Sequence, residues 1–330
     1  MSYNQNSGFG QALLNMVASQ VPTFGRIFVV MDPDDTDEEN YQRMQEVIDV
    51  DPNGQLRFFT SLESAYAATE SNNNDVILLD ANSTHEIAAM LTVAKNRVHF
   101  IGMDGGERLT QQGAKLNLAT AATDAAATVT VTGTRCSFRN IKFQNSGTHT
   151  NSVSCVIGAG EGTLYKNCTF QKLSDLGETG VSDYECRDDS ATFLDCEFGF
   201  DTLAQTAARP TLRIKASGST LMKNCKFRGC TFVAASTSAD KVHVTLENTS
   251  SIAFYNTMED CNFINSIVSS MSAIAATVAV ASYASSVQGS LHFINPMTNA
   301  ASFSTTSDQW TIYGSETAAA ATTGLAVTPS

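Results

Sequence analysis

The stretch "YKNCTF" at residues 165 to 170 contains a short unit whose relatives recur along the chain. They are "RNIKF", "LDCEF", "KNCKF" and "EDCNF", and the shared pattern is Asn or Asp, then Ile or Cys, any residue, and Phe. The phenylalanines are spaced by 27, 28, 29 and 36 residues and are Phe143, Phe170, Phe198, Phe227 and Phe263. A period just under thirty with strand-like residues between the units is typical of stacked parallel strands, so the pattern predicts an all-β solenoid.

Equivalent positions of a solenoid stack into columns, which gives each residue of the unit a place. The polar column is predicted at a bend, because Asn and Asp tolerate left-handed backbone geometry, and comprises Asn140, Asn167, Asp195, Asn224 and Asp260. The next column is predicted to point inward and comprises Ile141, Cys168, Cys196, Cys225 and Cys261. Isoleucine in the first unit suits an interior position and not a ligand or nucleophile, so the cysteines are interpreted as core filling.

Two alternatives for the cysteines stay open at this point. Disulfides between successive coils would satisfy the Cα distance, although stacked strands seldom give the required dihedral angle. Zinc is disfavoured because no C-x2-C pair is followed by a second pair or by two histidines. Cys136, Cys155 and Cys186 lie outside the predicted column and are expected to be packed thiols.

Composition excludes several classes of partner. The formal charge is -13 and the pI is near 4.7, which argues against nucleic acid and anionic membranes, since both require clustered Lys and Arg. The N-terminus has no basic segment followed by an apolar run, so the chain is expected to be made in a host cytoplasm with reduced thiols. Residues 262 to 307 carry no Asp, Glu, Lys or Arg, but they are rich in Ser, Thr and Ala, and "TVAVASY" alternates as a strand does.

The N-terminal hundred residues are predicted to cap the solenoid with short helices and strands. Thr36 with Glu39, and Thr60 with Glu63, form capping boxes, and the second predicts a helix whose apolar face is Leu62, Ala65 and Tyr66. The segments "GRIFVVM", "DVILLDA" and "RVHFIGMDGG" are predicted as strands, and "GFGQALLNMVASQ" as a short helix. The acidic run after Met31 is not an EF-hand: with Asp32 first, Asp37 would replace the glycine and Arg43 the bidentate glutamate.

Residues 58 to 106, with a helix, a strand, a "HEI" turn and a strand ending in Ile-Gly, resemble the first coils of right-handed parallel β-helices of the pectate-lyase-like superfamily. The stretch "GRIFVVMDPDDTDEENYQRMQEVIDVDPNGQLRFF", together with "GSLHFINPMTNAASF" and "TTGLAVTPS", resembles virion proteins of tailed phages. This resemblance implies a structural protein on the capsid surface, bound to the major capsid protein as a homotrimer. The expected division is a cap at 1–57, a β-helix at 58–300 and a C-terminal strand and tail at 301–330.

The same superfamily includes enzymes, so a catalytic role depends on individual residues and not on the fold. "RDDS" offers Asp188 and Asp189, and "RIK" at 213 to 215 resembles part of a polygalacturonase signature. Adjacent strand residues face opposite ways, and the Asn-Thr-Asp and Gly-His-Gly motifs of polygalacturonases are absent, so solvated outer charges are the favoured interpretation. The sequence therefore predicts no enzyme, no catalytic residue, no cofactor and no metal. His99 is placed in an apolar strand, and His85 with Glu86 at a turn.

A tail spike or fibre that binds or degrades a host surface polysaccharide is the alternative function. For a glycan-binding version of it, the candidate stacking residues are Trp310 and Tyr313, with Tyr283. Scattered aromatic residues more often pack or lie at an oligomer contact.

Overall fold

The structure is a computed structural model. It describes residues 15, 17–21, 24–31, 42, 57–104, 113–118, 125–176, 180–215, 222–238, 241–246, 255–266, 278–283, 291–298, 302–304 and 310–313. Several predictions fall outside these residues. They are the capping box of Thr36 and Glu39, the acidic run with Asp32, Asp37 and Arg43, and most of the predicted helix at 8–20.

Three parallel sheets form the molecule, and each strand pairs with the equivalent strand of the neighbouring coil. Sheet 1 has eleven strands, which are Ile27–Val30 (β1), Phe58–Phe59 (β2), Val76–Leu79 (β3), His99–Gly102 (β6), Ser137–Arg139 (β9), Leu164–Lys166 (β12), Thr192–Leu194 (β15), Lys226–Arg228 (β18), Asn256–Glu259 (β21), Leu291–Ile294 (β24) and Trp310–Tyr313 (β27).

Sheets 2 and 3 have eight strands each. The strands of sheet 2 are Thr84–Ile87 (β4), Lys115–Leu118 (β7), Lys142–Asn145 (β10), Thr169–Lys172 (β13), Glu197–Gln205 (β16), Thr231–Ser236 (β19), Asn262–Asn265 (β22) and Met297–Thr298 (β25). Those of sheet 3 are Leu91–Val93 (β5), Ala127–Val131 (β8), Ser154–Gly158 (β11), Tyr184–Cys186 (β14), Leu212–Ile214 (β17), Lys241–Leu246 (β20), Val278–Tyr283 (β23) and Ser302–Ser304 (β26). The predicted all-β solenoid, a parallel β-helix, is confirmed.

The bend between sheets 1 and 2 explains the Asn and Asp column. It is two residues long in each coil from β9 onward, and its first residue has positive φ: Asn140, Asn167, Asp195, Gly229, Asp260 and Asn295. Asn, Asp and Gly adopt this conformation at low cost. The column is also hydrogen-bonded along the axis, since the side-chain amide of Asn167 donates to Oδ1 of Asn140 at 2.8 Å.

One unit of the predicted repeat, "KNCKF" with Asn224, Cys225 and Phe227, is assigned to the wrong bend. In sheet 2, Phe198 pairs with Phe232 and not with Phe227, which pairs instead with Phe193 in sheet 1. The inward column at this bend is therefore Ile141, Cys168, Cys196, Cys230 and Cys261. Asn224 does have positive φ, but it lies at the bend that precedes sheet 1, and Cys225 follows it there. Both bends place a small inward residue two positions before an inward Phe. The segment "KNCKF" at 223–227 therefore has the same pattern as "RGCTF" at 228–232, which forms the bend between sheets 1 and 2.

The cysteines of the column are fully buried and each has a defined partner. The thiols of Cys168, Cys196, Cys230 and Cys261 donate to sheet 1 carbonyls of the preceding coil, with sulfur-to-oxygen distances of 3.4 to 3.7 Å. Burial raises the pKa of Cys196 well above its usual value, so the thiol stays protonated. All eight cysteines are buried free thiols, as core filling requires. Within the described ranges, no group of three His, Cys, Asp or Glu is placed to hold a metal ion.

Two stacks of aromatic rings fill the core beside this column. Phe143, Phe170, Phe198, Phe232 and Phe263 stack in sheet 2, with centroids 4.7 to 5.3 Å apart. A second stack in sheet 1 runs from Phe100 through Phe138, Tyr165 and Phe193 to Phe227, at 4.4 to 5.2 Å. Aromatic pairs in such geometry contribute beyond the area that they bury.

The α-helix Leu62–Ala68 (α1) packs on the first coils. Its N-cap is Ser61, whose hydroxyl accepts from Ser64, so the predicted N-cap at Thr60 is wrong by one residue. Leu62, Ala65 and Tyr66 are buried as predicted. No helix in the described part of the chain is long and apolar enough to cross a membrane, and "TVAVASY" contributes β23. Sheet 1 includes strands from all three predicted divisions of the chain, and the division itself stays a prediction.

Candidate functional site: a groove on the outer face of sheet 1

An open groove of about 610 Å³ lies on the outer face of sheet 1. Its floor is one outward column, because Thr192 pairs with Lys226, Lys226 with Thr257, and Thr257 with His292. These four residues belong to β15, β18, β21 and β24, which span roughly 14 Å at the ordinary strand spacing. The groove therefore follows the solenoid axis and presents hydroxyl, ammonium and imidazole groups in a row.

The bend that precedes sheet 1 forms one side of the groove. Ser190, Asn224 and Tyr255 occupy equivalent positions there, and all three have positive φ. Tyr255, at φ 73°, is 74% exposed, and a bulky residue in left-handed geometry is uncommon. Backbone strain of this kind concentrates at ligand sites, which makes Tyr255 a candidate for binding.

An ionic column continues from the groove along the same bend. Glu161, Asp189 and Lys223 follow one another on three successive coils through isolated parallel bridges. Lys223 Nζ lies 2.8 Å from Asp189 Oδ2, and this hydrogen bond raises the pKa of Lys223. Asp189 also accepts from the hydroxyl of Ser190 at 2.8 Å. Two carboxylates on adjacent coils thus lie next to residues that line the groove.

Asp188 and Asp189 face opposite sides, as their adjacency predicted. Asp188 is fully buried inside the solenoid, where Oδ2 accepts from Tyr184 at 2.7 Å and Oδ1 from the Gly160 amide at 3.2 Å. Burial raises its pKa to about 6, against the hydrogen bond from Tyr184. The interpretation of this residue as a solvated outer charge is therefore wrong, and Asp188 cannot reach a ligand in the groove.

Arg213 of "RIK" is also not a solvated charge. It is 6% exposed and forms an ion pair with Glu185 at 2.7 Å, while the carbonyl of Gly180 accepts a second hydrogen bond at 2.9 Å. Glu185 itself is 1% exposed and also pairs with Arg187. Arg213 thus belongs to a covered ion-pair network on sheet 3, away from the groove.

The remaining candidates are distributed along the solenoid. His99 lies in the outward column of sheet 1, where Nδ1 is 2.8 Å from the Ser137 hydroxyl, and burial lowers its pKa to about 4. His85 and Glu86 lie in β4 and not at a turn. Trp310 and Tyr313 lie in β27, beside β24, and Tyr283 lies in β23. The structure does not describe the side chains of these three aromatic residues.

Sequence reasoning did not identify Lys226, Tyr255 or His292. Outward positions carry no repeated residue type, because side chains that face solvent need not match from coil to coil. The one available signal was Tyr255 directly before the β-strand "NTME", at a bend position where other coils have Arg, Gly, Ser or Asn and no other aromatic residue.

The sequence matches no protein-family model and no curated protein. Among solved structures, the chain is similar to a pectin methylesterase in complex with a hexasaccharide, with TM-score 0.50, 13% identity, and coverage of 84% of this chain and 80% of that chain. It is also similar to pectate lyase Pel9A, with TM-score 0.44, 13% identity and coverage of 89% and 79%. ORF18 of Geobacillus virus E2 matches with TM-score 0.38, 8% identity and coverage of 77% of this chain and 54% of that protein.

The likeness to the pectin methylesterase shows that the two proteins share the parallel β-helix fold. This likeness also corrects one prediction. The expectation that the chain is not an enzyme is contradicted, because the pectin methylesterase shares the fold across most of both chains, and the fold is therefore one that enzymes use. At 13% identity the likeness concerns the fold alone, so the chemistry of this chain has to be argued from its own residues.

Proposed function

We propose that this chain is a surface protein of a tailed-phage virion that binds a saccharide in the groove of sheet 1. The observation that carries saccharide binding is Tyr255, an exposed aromatic ring beside a row of polar side chains. The resemblance of both ends of the sequence to virion proteins supports the location.

The groove has the two chemical features that sugars require. The exposed ring of Tyr255 offers an apolar face on which the C–H face of a pyranose can stack. Thr192, Thr257, Lys226 and His292 offer donors and acceptors for sugar hydroxyls. Because the groove follows the axis over several coils, an extended oligosaccharide fits it better than a single compact ligand.

Calorimetric titration with surface polysaccharides of host bacteria tests this proposal. Tyr255→Asn is the informative variant, since Asn occupies the same bend position in the preceding coil and keeps the backbone conformation. We expect at least a tenfold loss of affinity. Met297→Ala removes another exposed apolar side chain, 69% exposed and on sheet 2, and should bind as the wild type does. Undiminished binding by Tyr255→Asn would exclude the groove.

We propose that the chain lies on the capsid surface, where it binds the major capsid protein as a homotrimer. The stretch from 262 to 307, which has no charged residue, supports burial against sister subunits. Light scattering on the purified protein should give the mass of a trimer, and labelled particles should show it on the capsid exterior. A clean monomer, or label confined to the tail, would contradict this placement.

Cleavage of the bound saccharide is a second candidate, as in a tail spike. The observation that favours it is the pair Glu161 and Asp189, whose backbones are paired on adjacent coils at the strand spacing of about 4.8 Å, since many glycosidases use two carboxyl groups. Release of reducing ends from a bound polysaccharide, abolished by Glu161→Gln and by Asp189→Asn, would support cleavage. Binding without release would leave the groove as a binding site alone.

A further inference from the structure

The corner between sheets 2 and 3 encloses an unusual set of charges. Lys172 ends β13, Lys241 begins β20, and Arg209 lies in the connection between β16 and β17. Lys172 and Lys241 are 0% exposed and Arg209 is 2% exposed. Asp183, just before β14, is also 0% exposed. Three cationic groups thus share this enclosed corner with a single fully buried carboxylate.

Hydrogen bonds join these residues into one cluster. Arg209 Nη2 donates to the carbonyl of Lys172 at 2.8 Å, and Lys241 Nζ donates to the carbonyl of Arg209 at 2.6 Å. Lys241 Nζ also donates to Gln205 Oε1 at 3.1 Å. The amide of Lys172 donates to Asp183 Oδ1 at 2.8 Å. The cationic groups are therefore held by neutral acceptors and not by ion pairs.

Several strong donors in the cluster are left over. Among the described residues, Nε and Nη1 of Arg209 and Nε2 of Gln205 are buried without a hydrogen-bond partner. A buried guanidinium with two unused N–H groups is costly, both as a charge and as an unsatisfied donor. Water would satisfy the N–H groups but leave the charge uncompensated. An anion would accept the hydrogen bonds and also compensate the charge.

One other carboxylate lies near the corner. Partial burial raises the pKa of Asp175, but hydrogen bonds from Thr206 and Ala207 and the Arg209 charge lower it overall, so Asp175 is ionised. It is partly exposed, and it does not accept from the unused N–H groups of Arg209. Burial raises the pKa of the Cys155 thiol well above its usual value, and burial with Lys241 lowers the pKa of His243 to about 3, so both are neutral at pH 7. Burial and the Arg209 charge lower the pKa of Lys172 to about 8 and of Lys241 to about 7.

We propose that this corner is a binding site for one small inorganic anion of halide size, with Arg209 and Gln205 as its donors. The ligand is small because the donors are enclosed by the connections that cover the corner. It is an anion because the unused N–H groups belong to a buried guanidinium, and the one fully buried carboxylate, Asp183, is shared with Lys172 and Lys241. The site is separate from the groove of sheet 1, so it does not depend on the proposed function.

Crystals of the full chain soaked in sodium bromide test the proposal directly. Anomalous diffraction should show a bromide within hydrogen-bond distance of Arg209 Nε or Nη1. Bromide peaks confined to the molecular surface would overturn the proposal, and this outcome does not depend on any variant folding.

Thermal unfolding gives the second measurement. At constant ionic strength, replacing gluconate with chloride should raise the melting temperature in proportion to the logarithm of the chloride concentration. Arg209→Gln should remove the effect, while Arg228→Gln, whose side chain is 67% exposed, should retain it. Because the lysines must be protonated to favour an anion, the rise should be larger at pH 6 than at pH 9. A rise that is equal at both pH values, or unchanged in Arg209→Gln, would overturn the site.

Discussion

The two corners of sheet 2 solve the same geometrical problem with different chemistry. The corner with sheet 1 uses two residues per coil, with an Asn, Asp or Gly in left-handed geometry and a small inward residue, and beside it stacks one aromatic ring per coil. The corner with sheet 3 has long connections and a polar interior of Lys172, Arg209 and Lys241. Repetition makes the first corner regular and apolar, whereas the second varies from coil to coil and can hold charges.

The apolar corner should be the more sensitive of the two to truncation. Phe198 is fully buried between Phe170 and Phe232, with centroids 4.9 and 4.7 Å away. Phe198→Ala should lower the free energy of unfolding by about 3 to 5 kcal/mol, because it leaves a cavity in a column that cannot collapse without disturbing both neighbours. Denaturant unfolding measures the loss. Leu203→Ala, in the same strand and 41% exposed, is the matched control and should change stability by less than about 1 kcal/mol.

The stability that the polar corner contributes should depend on pH, whereas the stability that the apolar corner contributes should not. Lys241 keeps its proton to about pH 10 when unfolded but loses it near pH 7 when folded, because of burial and the nearby Arg209 charge. Between these values the unfolded chain binds more protons, so this residue makes stability rise with pH. Without halide, the stability of the wild type relative to Lys241→Met should increase by about 3 kcal/mol between pH 6 and pH 9.

Denaturant unfolding of both proteins across this pH range gives the difference directly, and the shared titration of the cysteines cancels. Lys226→Met, on the exposed face of sheet 1, is the control and should show a flat difference. A flat difference for Lys241→Met as well would mean that solvent reaches the corner and that its charges are ordinary.

The contrast between the corners also explains what the sequence could predict. The unit around Cys168 and Phe170 recurs because every coil must turn in two residues, so the fold and most of the inward column could be predicted from it. The error at Cys225 arose because the bend on the other side of sheet 1 uses the same left-handed residue and small inward side chain. Local chemistry identified the type of bend but not which of the two bends it was.

The candidate site and the polar corner had no such signal. Lys172 and Lys241 begin or end ordinary strands, and only the connections packed over them make them buried. Asp188 in "RDDS" looked like a surface carboxylate because the sequence alone does not show that its side chain turns into the solenoid. Tyr255 and His292 form a site because parallel pairing brings residues more than thirty positions apart onto one face, and that register depends on the coil that was misassigned.

The smallest expected effect concerns the Asn and Asp column at the corner between sheets 1 and 2. Asn167 has φ 54°, and its amide donates to Asn140. Asn167→Ala should cost about 1 to 2 kcal/mol, because a Cβ without a compensating polar group is strained in left-handed geometry. Asn167→Gly relieves that strain but also lacks the side-chain amide. The two variants therefore separate the effect of backbone strain from the effect of the hydrogen bond between coils. If Gly restores most of the loss in denaturant unfolding, the column is selected for its backbone. If Asn167→Gly is as destabilised as Asn167→Ala, the hydrogen bonds between coils stabilise this corner, and the corner with the apolar interior would then depend on polar contacts as much as the corner with sheet 3 does.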